Sequence, residues 1–388
     1  MIDRSAAFWF LLLVGFHASA CQSSRGHSTI KSKDSGPINN SVSIVSDSDW
    51  ELRLMNEIPK EPSPDHIRCN PSGHCWLWNV DSIWLADNTV RWRQVYILPP
   101  EQRKELDNIE SVSMISHQAG WFNTRRAIYQ TRDGGVTWNP ISTLVLNKEG
   151  ISFSSVIFRD ESRGWLAGGE FRPKLAGEPV VNNAASGDGK QISIAAIWQT
   201  TDGGATWQTK ELKRRIGRFL YMEFWNDIGV AFGDAGCVFT NDGGESWKEM
   251  QALIPEQKET GDRPEITGAY FVDHDNGWIF TSWLENLSTH DAGKTWSRFA
   301  SKTIGPNKDS EYLEPSNVVF ADKLEGLLIA GPAGKGSVFK TKDGGKTWTQ
   351  ISANDHFYDL SLSNGAKGFL LGDKGIYSIS HRQVNHAP

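Results

Sequence analysis

Several groups in this chain could do chemistry, and their spacing says which kind. Asp133, Asp202, Asp242, Asp291 and Asp343 recur in one setting, Thr-x-Asp-Gly-Gly-x-Thr-Trp or a close variant. Carboxylates also pair at Asp160-Glu161 and Asp273-His274-Asp275. General acid and base work on a glycosidic bond needs two carboxyls facing each other across a cleft, one with a raised pKa. These pairs instead fall in a turn that recurs between apolar strands, where solvated turn formers are expected. His74 lies between Cys69 and Cys75. That triplet lacks a fourth ligand at zinc spacing, so no metal site is assigned. A cationic run, Lys213, Arg214, Arg215 and Arg218, offers charge for an acidic partner, against the plain alternative of a solvated connection. No phosphate-cradling glycine loop or serine elbow suggests another enzyme class, and no cofactor is implied.

The elements that must position these groups are written in the repetition itself. Each Asp can accept backbone N–H groups just ahead of it, while the following glycines supply turn angles that other residues adopt at a cost. Trp138, Trp207, Trp247, Trp296 and Trp348 each stand five residues after their Asp, placed to fold back as apolar plugs between neighbouring units. An eroded copy keeps Asp87 and Trp92 without the glycines. Between copies an apolar strand, a polar turn and a Gly-Trp or Gly-apolar strand recur, as in VSMISHQAGWF, VIFRDESRGWL and YFVDHDNGWIF. IRCNPSGHCWLW fits the same frame and puts Cys69 and Cys75 at facing positions of a hairpin, where an oxidising compartment would favour a disulfide.

Each unit therefore reads as a four-stranded antiparallel sheet, and a motif returning every few tens of residues marks a repeat architecture. The last unit, 357–380, has only three strands and no box, while Trp50-Glu51-Leu52-Arg53-Leu54 resembles the Trp-led strand after each box. Exchanging that strand into the last unit would hide both open edges. The expectation is an all-β, seven-bladed β-propeller over 48–382, closed by an N-terminal strand, with a tail at 383–388.

The boxes resemble the Asp-box or BNR repeats of sialidases, sortilin-type receptors and the photosystem II stability and assembly factors. Box and inter-box phrases together are most similar to the assembly factors, over roughly 48–380. This resemblance implies a non-enzymatic propeller that binds a protein, helping to assemble or stabilise a membrane complex. The alternatives are a sialidase-like hydrolase or carbohydrate-binding propeller and a structural cell-envelope repeat protein. A sialidase-like site would carry an early Phe/Tyr-Arg-Ile-Pro motif; the chain has only Phe171-Arg172-Pro173, displaced and without the Ile.

Composition adds limits. The chain has 388 residues, 22% charged, with a net charge of −6 and 17 tryptophans. A nucleic-acid partner would require a basic excess that is not there. At the N-terminus Arg4 precedes an apolar run ending in His17-Ala18-Ser19-Ala20-Cys21. This reads as a signal peptide over 1–20 followed by a bacterial lipobox, with Cys21 lipidated and 21–47 a flexible tether. An exported monomer held at the cell envelope by its lipid alone is expected, with simple secretion after Ala20 as the alternative. The long variable segments, Glu170–Ile192, Leu98–Asn108, Lys210–Arg218, Ala252–Glu265 and Ser301–Glu314, all fall on one face of such a ring, where recognition usually sits.

Overall fold

A computed structural model describes residues 44–46, 49–55, 63–86, 91–104, 107–141, 150–176, 191–212, 217–233, 236–250, 264–282, 285–304, 315–331, 336–363, 365 and 367–382. Five four-stranded antiparallel sheets follow one another along the chain, over 66–97, 109–141, 151–209, 221–249 and 266–300. A sixth sheet has nine strands. Its core runs from Pro315–Phe320 through Gly326–Ala330 and Gly336–Thr341 to the long strand Thr347–Leu362, then Lys367–Gly372 and Gly375–His381. The long strand serves both sides: residues 349–352 pair with 338–340, and residues 357–362 pair with 368–372. Consecutive small sheets packed side by side make this a β-propeller.

The box motif folds as a closed hydrogen-bond ring in every described copy. In the first, the Thr131 hydroxyl donates to Asp133 Oδ1 (2.9 Å) and accepts from Gly135 N (2.8 Å). Asp133 in turn accepts from Thr137 N (2.9 Å) and the Thr137 hydroxyl (2.6 Å). The carboxylate thus grips the residue four positions on, not one or two as the motif alone suggests. The same bonds recur at Asp202, Asp242, Asp291 and Asp343. Bonding to the Thr137 hydroxyl, then its N–H, lowers the Asp133 pKa to about 2. Asp87 lies outside the described residues.

The tryptophans divide the packing differently from the sequence expectation. The plug between sheets is the tryptophan of the Gly-Trp strand. Trp121 lies flat on Phe158 (3.7 Å, 5°), Trp165 on Phe224 (4.1 Å, 21°) and Trp278 on Phe320 (3.9 Å, 8°), each bridging two consecutive sheets. The box tryptophan then stands edge-on to the same phenylalanine within its own sheet, Trp207 to Phe158 at 84° and Trp247 to Phe224 at 88°. Offset stacking and edge contact are the arrangements that ring quadrupoles favour. Trp207 and Trp348 are buried, whereas Trp92, Trp138, Trp247 and Trp296 are half-buried. The second box glycine makes this possible: at Gly244, φ is +82° and an added Cβ would come within 2.3 Å of Trp165 Nε1.

At the seam, strand Trp50–Leu54 pairs with Gly375–His381, from Trp50↔His381 to Leu54↔Tyr377. Trp50 and Leu52 are buried in the core there. Lys340 and Lys342 hold Asp49 from the same sheet, at 2.7 and 2.8 Å. Two elements depart from the expected plan. Ile44–Ser46, assigned to the tether, pairs outside Trp50–Leu54, because the new outer strand still presents backbone groups that seek partners. Lys302–Ile304, inside an expected connection, pairs in parallel with Thr347–Thr349.

Candidate functional site

The first strand of each sheet lies toward the ring's interior, and contacts pass from one such strand to the next. Ser113 accepts Phe158 N (2.9 Å), Ser361 accepts Cys69 N (2.9 Å) and Asp359 accepts Ile67 N (2.8 Å). Side chains at alternate positions of these strands point inward and meet. Arg68, on strand His66–Cys69, reaches Glu223 on strand Tyr221–Trp225 at 3.2 Å. Their two sheets are not neighbours along the chain, so this ion pair spans the interior of the ring. Arg68 also bonds Asp359 (3.2 Å), and Asp359 accepts from Asn317.

The electrostatics follow from burial and pairing. Burial opposes the charge on Arg68, but Asp359 and Glu223 together outweigh it and raise the pKa. Burial likewise pushes Asp359 upward, yet Arg68, His66 and the Ile67 N–H overcome that and hold it below the ordinary range. Burial and then Glu223 push Tyr270 up to about 12. A general acid requires a carboxyl held protonated near neutrality. Asp359 is held the other way, and every strong acceptor of the network has a partner. The arrangement is suited to tie four inner strands together, those of Arg68, Glu223, Asn317 and Asp359.

A second charged group sits beside the first. Arg125 Nε donates to Glu110 Oε1 at 2.7 Å, and Glu110 feels Arg218 as well. Burial raises the Glu110 pKa against the pull of Arg125 and Arg218. Asp107 accepts from the Thr124 hydroxyl at 3.0 Å, and burial raises its pKa too. The structure thus brings Arg218 of the cationic run, half-buried with its stem over Gly169, toward Glu110 and Arg125. Lys213, Arg214 and Arg215 lie outside the described residues, as do Cys21 and the apolar run before it. Part of the segment 170–192 is strand, because Gly164–Pro173 and Gln191–Thr200 pair out to Pro173↔Gln191. The Leu98–Asn108 connection holds a short helix, Pro100–Lys104. Sequence reasoning missed Arg68, Glu223, Asp359 and Glu110. The one available signal was a charged residue at an inner-strand position otherwise given to small or apolar residues.

Cys69 and Cys75 are joined by a disulfide. This removes both thiols from any metal reading of His74. Cys237 is buried among apolar residues of its strand. The carboxylates of the recurring turns form ion pairs between sheets, Arg132 with Glu161, Arg159 with Asp227 and Lys323 with Asp273. They do not converge on a cleft. Among the described residues no three His, Cys, Asp or Glu side chains are grouped to hold a metal.

No family model matches the chain. It is similar to the photosystem II assembly protein Ycf48 of Thermosynechococcus vestitus, 26% identical over 345 residues, covering 78% of this chain and 90% of that protein. It is also similar to the photosystem II assembly lipoprotein Ycf48 of Trichormus variabilis, 25% identical over 64% of this chain and 76% of the relative. The solved structure of YCF48 bound to D1 peptide aligns with a TM-score of 0.58 at 18% identity, over 88% of this chain and 99% of that one. That likeness supports the propeller fold.

Proposed function

We propose that this relative of the photosystem II assembly factors is a non-enzymatic, protein-binding propeller that helps assemble or stabilise a membrane complex. The observation that carries the reading is similarity to assembly factors along most of the chain, joined to an axis whose charged groups are spent on each other. One such relative is known bound to a peptide, so a protein segment is the partner class assigned here. The nine-stranded sheet reads as two blades sharing Thr347–Leu362, which makes seven blades in all. Lipidation of Cys21 after removal of 1–20, with 21–43 as the tether, accounts for membrane attachment, and some relatives are named lipoproteins. The chain acts as a monomer.

The binding face is the one that carries the variable connections, with Lys213, Arg214, Arg215 and Arg218 meeting an acidic segment. Arg218 contributes from beside Glu110 and Arg125. The test is affinity capture of the tethered protein from its native envelope, followed by binding measurements with the identified complex subunit. Changing Lys213, Arg214 and Arg215 to Glu should weaken binding at least tenfold and flatten its salt dependence, since screened attraction is removed. Arg218 stays unaltered because a carboxylate there would face Glu110. Unchanged affinity in the triple variant would discard the basic run as the recognition element.

A further inference from the structure

In the sheets over 151–209, 266–300 and 315–352, a phenylalanine ends the inner strand and covers a glycine opposite: Phe158 over Gly164, Phe271 over Gly277 and Phe320 over Gly326. The sheets over 66–97 and 109–141 put sulfur at that position. Cys69 is bonded to Cys75, and Met114 covers Gly120 so closely that an added Cβ would lie 2.0 Å from the thioether sulfur. The turns beside them also differ. Where the corresponding turns at Arg159 and Asp227, and at Asp273 and Lys323, face each other with opposite charges, His74 faces His117 with ring centroids 3.7 Å apart. His74 is fixed in its turn, since its N–H donates to Asn70 Oδ1 (3.0 Å), its carbonyl accepts Asn70 N (2.9 Å) and its ring Nδ1 lies 3.3 Å from Asn70 Nδ2, which leaves Nε2 as the ring nitrogen open to a ligand.

His74, His117 and Met114 line one cavity of about 10 Å³, roughly the room of a single water-sized particle. No carboxylate is among the described residues that line it or the larger hollow of about 550 Å³ alongside, which Lys367 borders. Two imidazoles and a thioether make a soft donor set. Thioether ligands select monovalent copper and imidazole suits it, whereas magnesium, calcium and manganese require oxygen donors. We propose that His74, His117 and Met114 form a binding site for one soft monovalent cation, Cu⁺ or its analogue Ag⁺, between the first two sheets of the ring. His117 is exposed on its turn and His74 half-exposed, so an ion can enter from solvent.

The experiment is an Ag⁺ titration of the full chain carrying Cys21→Ser, read by native mass spectrometry and by quenching of tryptophan emission, since Trp76 lines the same cavity. Cys237 is fully buried and does not compete. One Ag⁺ per chain should be retained. His117→Gln should weaken it at least a hundredfold, and Met114→Leu at least tenfold while the protein stays folded by circular dichroism. Cu⁺ held by a chelator should transfer with the same stoichiometry, and Zn²⁺ should not displace it. Retention of Ag⁺ undiminished in His117→Gln, or no retained ion in the parent, would overturn the site. Should Met114→Leu misfold, Met114→Gln, which keeps length without sulfur, makes the same measurement.

Discussion

The sheets that carry boxes and the seam that closes the ring hold neighbours together with different materials. In the box sheets the joint is repeated: a Gly-Trp ring laid on the next sheet's phenylalanine, a box tryptophan against its edge, and a carboxylate ring binding the turn. At the seam nothing repeats. The chain end supplies Trp50 and Leu52 as core, Asp49 takes two lysines, and Arg68 reaches through the interior to Glu223 and Asp359. A repeated joint spreads stability over many small terms, whereas a joint made once concentrates it. Removing the strand that is made once, Trp50–Leu54, should therefore cost more than removing any one repeated member.

The largest effect is expected from deleting residues 50–54. That removes the strand between Ile44–Ser46 and Gly375–His381, exposes an edge and strips two buried side chains from the core, so cooperative unfolding should be lost and aggregation appear in sedimentation. A soluble variant with a sharp melting transition would show that closure does not depend on this strand. By contrast, trimming residues 22–43 should leave the transition where it is.

Arg68→Ala comes next. It takes the guanidinium away from Asp359, whose side chain is only 6% exposed, and breaking a buried ion pair from one side costs up to about 3–5 kcal/mol, less here to the extent that the Ile67 N–H and Asn317 still bond the carboxylate. Chemical denaturation should show this, and Arg68→Ala with Asp359→Asn together should recover part of the loss. If the single variant unfolds like the parent, the ion pair through the interior is not holding the ring.

Within the repeats, Trp348 and Trp247 occupy the same box position but not the same burial, since Trp348 is fully buried and Trp247 half-buried. Trp348→Ala should cost about 3–5 kcal/mol and Trp247→Ala clearly less. Equal losses would mean that burial does not grade the joints.

The smallest and most distributed effect is acid sensitivity. Asp133 and Asp202 are both lowered to about 2, chiefly by the hydroxyls of Thr137 and Thr206. A depressed carboxylate stabilises the fold at pH above its unfolded value, near 4, and that contribution fades as pH falls through the folded value. Melting temperature should thus decline between about pH 4 and pH 2, and Asp133→Asn with Asp202→Asn should flatten that decline. An unaltered slope in the double variant would show that these two rings do not set the acid sensitivity and would pass it to the other lowered carboxylates, Asp242, Asp291, Asp343 and Asp359.

How much of this was legible depends on the range of the interaction. The boxes and the four-strand units could be read because their determinants lie within a few residues: an Asp and a hydroxyl four apart, a glycine at positive φ, a facing pair in a hairpin. The strand at 50–54 could be read although its partner, 375–381, is remote, because it copies the Trp-led pattern of the repeats. The partners of Arg68 could not. Asp359 is 291 positions away and Glu223 is 155, so no local spacing connects them. The sequence pattern assigns the plug between sheets to the box tryptophans, and it belongs instead to those of the Gly-Trp strands, since both kinds follow a glycine turn and only the packing of adjacent sheets shows which ring crosses the gap. The two histidines belong to separate hairpins and meet only because the first two sheets lie side by side. The sequence by itself determined that the chain would be a ring of small antiparallel sheets, because repeated local turns and alternating strands leave few other ways to bury each face. Tertiary structure alone decided which charges meet at the axis and which groups line the gap between the first two sheets, because those contacts depend on how the sheets are placed around the ring.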